Sequence, residues 1–510
     1  VSDYTKLNDV DIEDVTLYRA YASTVEPKGI KDLVKHISIY EDIHSPFISG
    51  YVYISDAVGL RSSFPIVGQE YLVVKFKTPD SDLPFTSENF SNEFWFSVTS
   101  ISDRTKAVGD RSEMYRLNFV DLHSNYDLQS RVRNASSYFY QPDQAMSISD
   151  MVQILEIDYF GGNLRNEFVH EQTEGWEPPK DQWGNPLAGM DFETTKNNYK
   201  FIYPSLSPTD TIRWLSTMAV SNTPPHHANY SFWQSVDKRY HFRSLGSLAE
   251  QDKTKTYYLR PSGLRTSLEE QRYFIQDYEL SKEFNVAEDV SNGLYGSSLW
   301  THDITTKEVS SIDWVYGQET FSETGHVETN LVNSIPPASV GRRGAGAFWA
   351  GPEYLKPKQS ELSMAGTTPE DLYKYTTMTG FSNSDPEEWF QKRKSSMGFW
   401  GNSVVNIRVA GDSTLRVGQV VEINIPRTDV RVTIAETAYD RLESGRYLIT
   451  GVRHVIVSTD VPEYTCQLEL SRDSLPASVQ PMWDLPPLRD IEKSLNDKRN
   501  RTTQEQDFLA

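Results

Sequence analysis

Val67-Gly68-Gln69-Glu70-Tyr71-Leu72-Val73-Val74-Lys75-Phe76 and Val417-Gly418-Gln419-Val420-Val421-Glu422-Ile423-Asn424-Ile425-Pro426 open on the same three residues, then continue as strand-like runs. At similar spacing behind each comes a second strand-like segment, Phe96-Ser97-Val98-Thr99-Ser100-Ile101 and Tyr447-Leu448-Ile449-Thr450-Gly451-Val452. A third pair follows, Tyr115-Arg116-Leu117-Asn118-Phe119 and Tyr464-Thr465-Cys466-Gln467-Leu468. Three matches in one order suggest a duplicated β module, because unrelated strands rarely keep a common spacing. The competing reading is that any two antiparallel sheets share this texture.

The chain has 510 residues, too many for one ordinary domain, so three or four are expected. Its 38% hydrophobic and 24% charged content is enough for real cores. The 28 Tyr, 23 Phe and 11 Trp supply large buried areas and suit protein–protein interfaces. The single cysteine, Cys466, excludes an internal disulfide framework and a cysteine-based zinc cage. On the third pair of segments it aligns with Leu117 and is expected to be a small buried hydrophobe. No apolar run approaches the ~18 residues of a membrane span, and the N-terminus lacks a signal-peptide pattern. A soluble protein, not secreted by that route, is the expectation. The net charge of −21 argues against a sequence-reading nucleic-acid binder. It fits either simple solubility or a surface that lies near DNA without holding it.

The expected fold class is α+β, mainly β: two similar antiparallel β-barrel domains, the second discontinuous, plus mixed α/β peripheral domains. Residues 1–122 read as the first barrel, in which Gly50 marks a bulge or bend. Residues 123–268 read as a mixed domain with helices near 149–160 and 208–220. Ser207-Pro208-Thr209-Asp210 carries a serine cap, a first-turn proline and an acid. A hairpin follows at Tyr230–Trp233 and Tyr240–Phe242, turning at Asp237-Lys238. Residues 269–316 and 399–476 form the second barrel, with turn signals at Asn292-Gly293 and Asp303. Between them, 317–398 reads as a loop, with 170–190 a similar loop upstream. The 317–398 stretch ends in two helices, one from Thr368-Pro369 to Gly380 and one from Asp385-Pro386 to Gly398. The charged tail 477–510 reads as a surface helix, a disordered end or an arm that orders on a partner.

Chemistry is thinly marked. There is no Walker loop, no HExxH and no GxSxG elbow, so no catalytic, cofactor or metal residue is assigned and no enzyme is expected. The glycines at 341–346 neither follow a clear strand nor open a helix. His226-His227 beside Pro224-Pro225 read as a solvated loop, since adjacent side chains diverge and no cysteine joins them. Carboxylate pairs such as Glu41-Asp42 and Glu269-Glu270 arise by chance among 71 acids. Asn89, Asn134, Asn229 and Asn500 stand in glycosylation-type triplets that mean nothing without secretion.

The run from Ile37 through Glu41-Asp42-Ile43-His44-Ser45-Pro46-Phe47 to Gly50, continued by Ile54-Ser55-Asp56-Ala57-Val58-Gly59-Leu60 and Phe64-Pro65-Ile66-Val67-Gly68-Gln69-Glu70, resembles the central baseplate hub proteins of contractile-tailed phages. The middle of that family looks like Ser207 to Leu215, Ala228 to Trp233 and Tyr240 to Leu245. Its closing strands look like Gly445 to Gly451 and Tyr464 to Leu475. The loops at 170–190 and 317–398 depart from it. The resemblance implies a homotrimer whose two tube domains per chain build a pseudo-sixfold ring. Such a ring adapts a sixfold tail tube to a threefold central spike and leaves a channel for DNA ejection. Implied partners are the tail-tube protein, the spike and baseplate wedge proteins; genome DNA passes without specific binding, and no membrane or cofactor takes part. The implied location is the virion, assembled in the host cytoplasm. The alternatives are the hub of another contractile injection system, such as a tailocin or secretion-type spike, and a tail-associated cell-wall hydrolase. A receptor-binding fibre is a further rival.

Overall fold

In the computed structural model the described residues are 7–19, 26–68, 70–78, 93–106, 112–133, 146–160, 190–199, 202–236, 239–259, 267–283, 285–303, 307–316, 321, 324–331, 342–343, 346–347, 353–358, 386–426, 439–440, 442–458 and 462–475. The fold is mainly β with a mixed α/β periphery, as the alternating segments predict. The loop at 170–189, residues 341, 344 and 345, the helix expected at 368–380, the Asp237-Lys238 turn and the tail lie outside the described residues.

The first module runs β1 (Asp11–Arg19), β2 (Val34–Asp42), β3 (Ser49–Asp56), β4 (Glu70–Lys77), β5 (Glu93–Lys106) and β6 (Glu113–Asp121). The second runs β7 (Lys255–Tyr258), β8 (Asp277–Lys282), β9 (Ser403–Ala410), β10 (Val420–Asn424), β11 (Gly445–Val457) and β12 (Glu463–Arg472). Hydrogen bonds order the first as β2-β3-β6-β5-β4-β1 and the second as β8-β9-β12-β11-β10-β7. Each strand of one module thus has a counterpart in the other, in chain order and in sheet order alike. One polarity differs: β1 lies antiparallel to β4, whereas β7 lies parallel to β10.

The two modules are not separate sheets. β11 pairs antiparallel with β2, which merges the twelve strands, with the short Lys28–Gly29 strand beside β1, into one 13-stranded sheet. Alternation explains why it has a dry side: β3 buries every second residue, and β6 does so over most of its length. The dry residues of both modules meet in a single core, where Ile37, Val52 and Leu117 join Ile407, Ile449 and Leu468. Burial at roughly 25 cal/mol per Å² of apolar area makes this shared core the main force holding the modules together.

Three helices matter for the periphery: α1 (Ile148–Tyr159), α2 (Pro208–Met218) and α3 (Pro386–Trp400). Ser147 and Ser207 cap the first two, each hydroxyl accepting from the backbone N–H three residues on, at 3.2 Å. α1 and α2 pack on a three-stranded sheet of Met190–Phe192, Tyr240–Ser244 and Tyr230–Gln234. Their second core includes Met151, Leu155, Ile212, Leu215, Phe232 and Phe242.

Several local expectations change. β7 lies upstream of residue 269, and Gly296–Asp303 and Val309–Val315 form their own sheet with Glu353–Lys358 instead of joining the second module. The turn signal at Asn292-Gly293 marks a helix end: Gly293, at φ 76°, closes a short helix at Val286–Asn292. Gly398 is no helix stop either. α3 runs on to Trp400, and a Cβ at Gly398 would meet Leu294 at 2.4 Å. The helix packs between α2 and the Gly296–Asp303 strand. Gly50 marks no bulge, since it pairs regularly with Ile39 and Phe119.

Candidate assembly interface

The likeness of the modules reaches single atoms. β5 pairs with β6 with one extra residue, Thr99, between Val98 and Ser100. β11 pairs with β12 with one extra residue, Thr450, between Ile449 and Gly451. Thr99 Oγ1 donates to the Asn118 carbonyl at 3.2 Å, and Thr450 Oγ1 donates to the Glu469 carbonyl at 3.3 Å. A bulge bends its strand and is a built feature of a sheet, so the shared position argues for common descent of the modules.

This bulge sets the alignment, with two corrections. Leu117 stands with Leu468, and Cys466 stands with Tyr115, two residues from the match expected on sequence. Strand registers place Tyr71 with Val420 and Glu70 with Gln419, one residue off the Val-Gly-Gln triplets. The side chains agree: Glu70 Oε1 accepts from Val67 N–H at 2.9 Å, and Gln419 Oε1 accepts from Arg416 N–H at 3.1 Å. Both glycines do share a left-handed backbone, φ 90° at Gly68 and 88° at Gly418.

The joint between modules is a strand ladder. β11 spends its first residues, Gly445–Leu448, on β10; from Gly451 to Val457 that same edge takes β2 instead, from Asp42 to His36. On the polar side, Arg453 clamps the joint. Its guanidinium donates to Ser38 Oγ at 2.8 Å, Tyr51 hydroxyl at 2.9 Å and Gln467 Oε1 at 3.1 Å. Arg453 also lies 5.2 Å from the Tyr40 ring centre, and Arg116 lies 4.1 Å from that of Tyr51. His36 stacks on Tyr51 at 5.3 Å, and its pKa is lowered, first by burial and then by the Arg453 charge. A cavity of about 530 Å³ opens over the joint, lined by residues such as Tyr40, Glu41, Asp277, Arg408, Arg453 and Glu469.

The residues weighed for chemistry do not assemble a site. Glu41 is buried and accepts from Ser235 Oγ, while Asp42 accepts from His44 N–H at 2.8 Å, so the pair serves local structure. His227 is buried, not solvated as expected; burial holds its pKa down to about 4. His226 faces the Ser221 carbonyl at 2.9 Å. Asn229 is buried and donates to Ser396 Oγ at 2.8 Å. Cys466 is fully buried as expected, and burial pushes its thiol up to about 12. Among the described residues no cluster of three metal-ligating side chains occurs, and no helix is long and apolar enough to cross a membrane. What sequence reasoning missed is the joint: His36–Asp42 and Gly451–Val457 lie some 400 residues apart, and only the alternating pattern of each was visible.

No family model matches the chain, and no curated protein does. Among solved structures it is similar to phage tail and baseplate proteins. The tail protein from Neisseria meningitidis MC58 is 11% identical at a TM-score of 0.46, over 92% of this chain and 100% of that one. The 43 kDa tail protein of prophage MuSo2 from Shewanella oneidensis is 7% identical at 0.43, over 90% and 98%. A chain of the phage P2 baseplate in its activated conformation with Ca is 8% identical at 0.30, over 93% and 100%. Likenesses this distant carry no functional assignment, which has to come from the two modules themselves.

Proposed function

We propose that this chain is a structural ring protein, the hub of a phage baseplate that joins tail tube to central spike. Three copies, with two modules each, would set six similar β units around one axis. Such a ring meets sixfold tube subunits on one side and a threefold spike on the other, with an axial channel for DNA. One observation carries the reading: the second module repeats the first strand for strand, including the bulge at Thr99 and Thr450. A chain needing only one β domain has no use for a second copy joined edge to edge with the first.

Two features support the channel. The net charge of −21 disfavours phosphate retention. The guanidiniums on the polar side of the sheet are engaged within the protein: Arg453 by Ser38, Tyr51 and Gln467, Arg116 by Asn118 and Asp103, and Arg408 by Asp277. In this reading the α1–α2 unit and the α3 wedge form the outer shell facing wedge proteins, and the second module starts at β7. Electron microscopy of the purified full chain tests it. Six-lobed rings with an axial hole and the mass of three chains are expected; a lone protomer at every concentration would overturn it.

A further inference from the structure

The joint within the chain is a template for a second joint that the lone chain leaves open. β11 offers its far half to β2. Its counterpart β5 pairs with β4 only from Glu93 to Ser97, and among the described residues that edge carries no partner from Ser100 to Lys106. The counterpart of β2 is β8, which pairs with β9 and ends the sheet. Exposure separates the used copy from the unused one. In β2, Ile37, Ser38 and Ile39 are fully buried, whereas β8 is exposed at every residue but Tyr278, which is half-buried. One used joint and one bare pair of matching edges sit in the same polypeptide.

We infer that the end of β5, at Thr105 and Lys106, pairs antiparallel with β8 of a neighbouring copy of this chain, in the register that β11 and β2 already display. β5 has a further extra residue between Ser102 and Thr105, and β8 has one between Leu280 and Lys282, that the β11–β2 joint lacks, so the shared register is confined to this end. This rests on the ring reading and names its contact. The register follows from the alignment. Ser38 faces Val455, whose counterpart is Thr105; the counterpart of Ser38 is Glu279. Thr105 therefore faces Glu279 of the next copy, and Lys106 faces its Tyr278. Charge agrees with this placement. The β5 tip carries Arg104 and Lys106, which in the lone chain hold Glu113 at 2.9 and 2.8 Å. The facing strand carries Asp277 and Glu279. Opposite charges across an antiparallel pair stabilise it, and like charges oppose it. An edge with a defined polarity and register admits a head-to-tail contact, which closes a ring when the rotation permits.

The test uses the full chain with Thr105→Cys and Glu279→Cys together, treated with an oxidant or a short bismaleimide. Cys466 is fully buried and stays silent. Covalently linked chains, up to three, are expected from the double variant and only single chains from either single variant. In parallel, Asp277→Lys with Glu279→Lys should weaken the trimer about tenfold or more, and adding Arg104→Glu with Lys106→Glu should restore it. The restored variant shows that the weakened one was not merely misfolded. Trimers that neither cross-link nor respond to charge reversal overturn this seam and leave the ring standing. An unmodified chain that never associates overturns the ring, and the seam with it.

Discussion

Gly50 occupies a place where any side chain would collide: a Cβ there would lie 2.2 Å from the Ser38 carbonyl and 2.6 Å from the Phe119 ring. The second module solves the same site differently, with Val405 against the smaller Leu470. Volume is conserved across the pair, not at either position. Gly50→Ala should therefore destabilise the first module by about 2 kcal/mol or more, read as a lower thermal midpoint. Cys466 should resist thiol reagents until the protein unfolds, because burial pushes its thiol up to about 12. Acid should act through the histidines. Burial holds His227 and His454 down to about 4, below the ordinary 6.5. The unfolded chain then binds more protons than the native one between these values, so the stability they confer is complete above about 6.5 and lost as pH falls towards 4. Asp158, Asp289 and Glu328 are raised by burial and work in the opposite direction. Replacing His454 with Gln should reduce the stability lost on acidification by an amount on the order of 2–3 kcal/mol, read as a flatter acid-side fall in thermal midpoint. An unchanged slope would show that His454 is not buried neutral.

At the scale of elements, the caps were legible and the moorings were not. Ser147 and Ser207 announce α1 and α2 in the sequence because N-capping is a local bond. The bond that ties α2 to the short helix His123–Gln129, just past the first module, is not local: buried Asp127 accepts from Thr209 N–H and from Thr209 Oγ1, both at 2.7 Å. Nor could Arg393 be read from its neighbours. On α3 it is half-buried, and its Nη1 donates to the carbonyls of Ser216, Ala228 and Tyr230 at 3.0 to 3.1 Å. Two of those belong to the loop and strand after α2, and the third to its last turn, where a cation is favoured. Burial lowers this guanidinium to about 10, still charged at neutral pH. Arg393→Met removes the one nitrogen that serves all three carbonyls and leaves them buried, so a loss of about 3 kcal/mol and faster proteolysis near α3 are expected. The modules show the same division. Alternation revealed the strands, while the one-residue offset of the glycine turns and the two-residue offset at Cys466 depend on bulges that no periodicity marks.

For the whole molecule, an assembly held by a strand seam should gain stability with concentration. The thermal midpoint is expected to be flat in dilute solution, where the chain is a lone protomer, and to rise with the logarithm of concentration once trimers form. A midpoint independent of concentration would mean that the protomer is already complete. The reversed polarity of β7 relative to β1 adds a condition on whatever is stacked upon such a ring. Going around the axis, a docking protein would find two alternating kinds of footing, three of each, so its own copies could not all sit alike. The first layer above should therefore show a threefold ripple in its density that fades with height, and a reconstruction averaged sixfold would smear the outer rim while leaving the inner wall sharp.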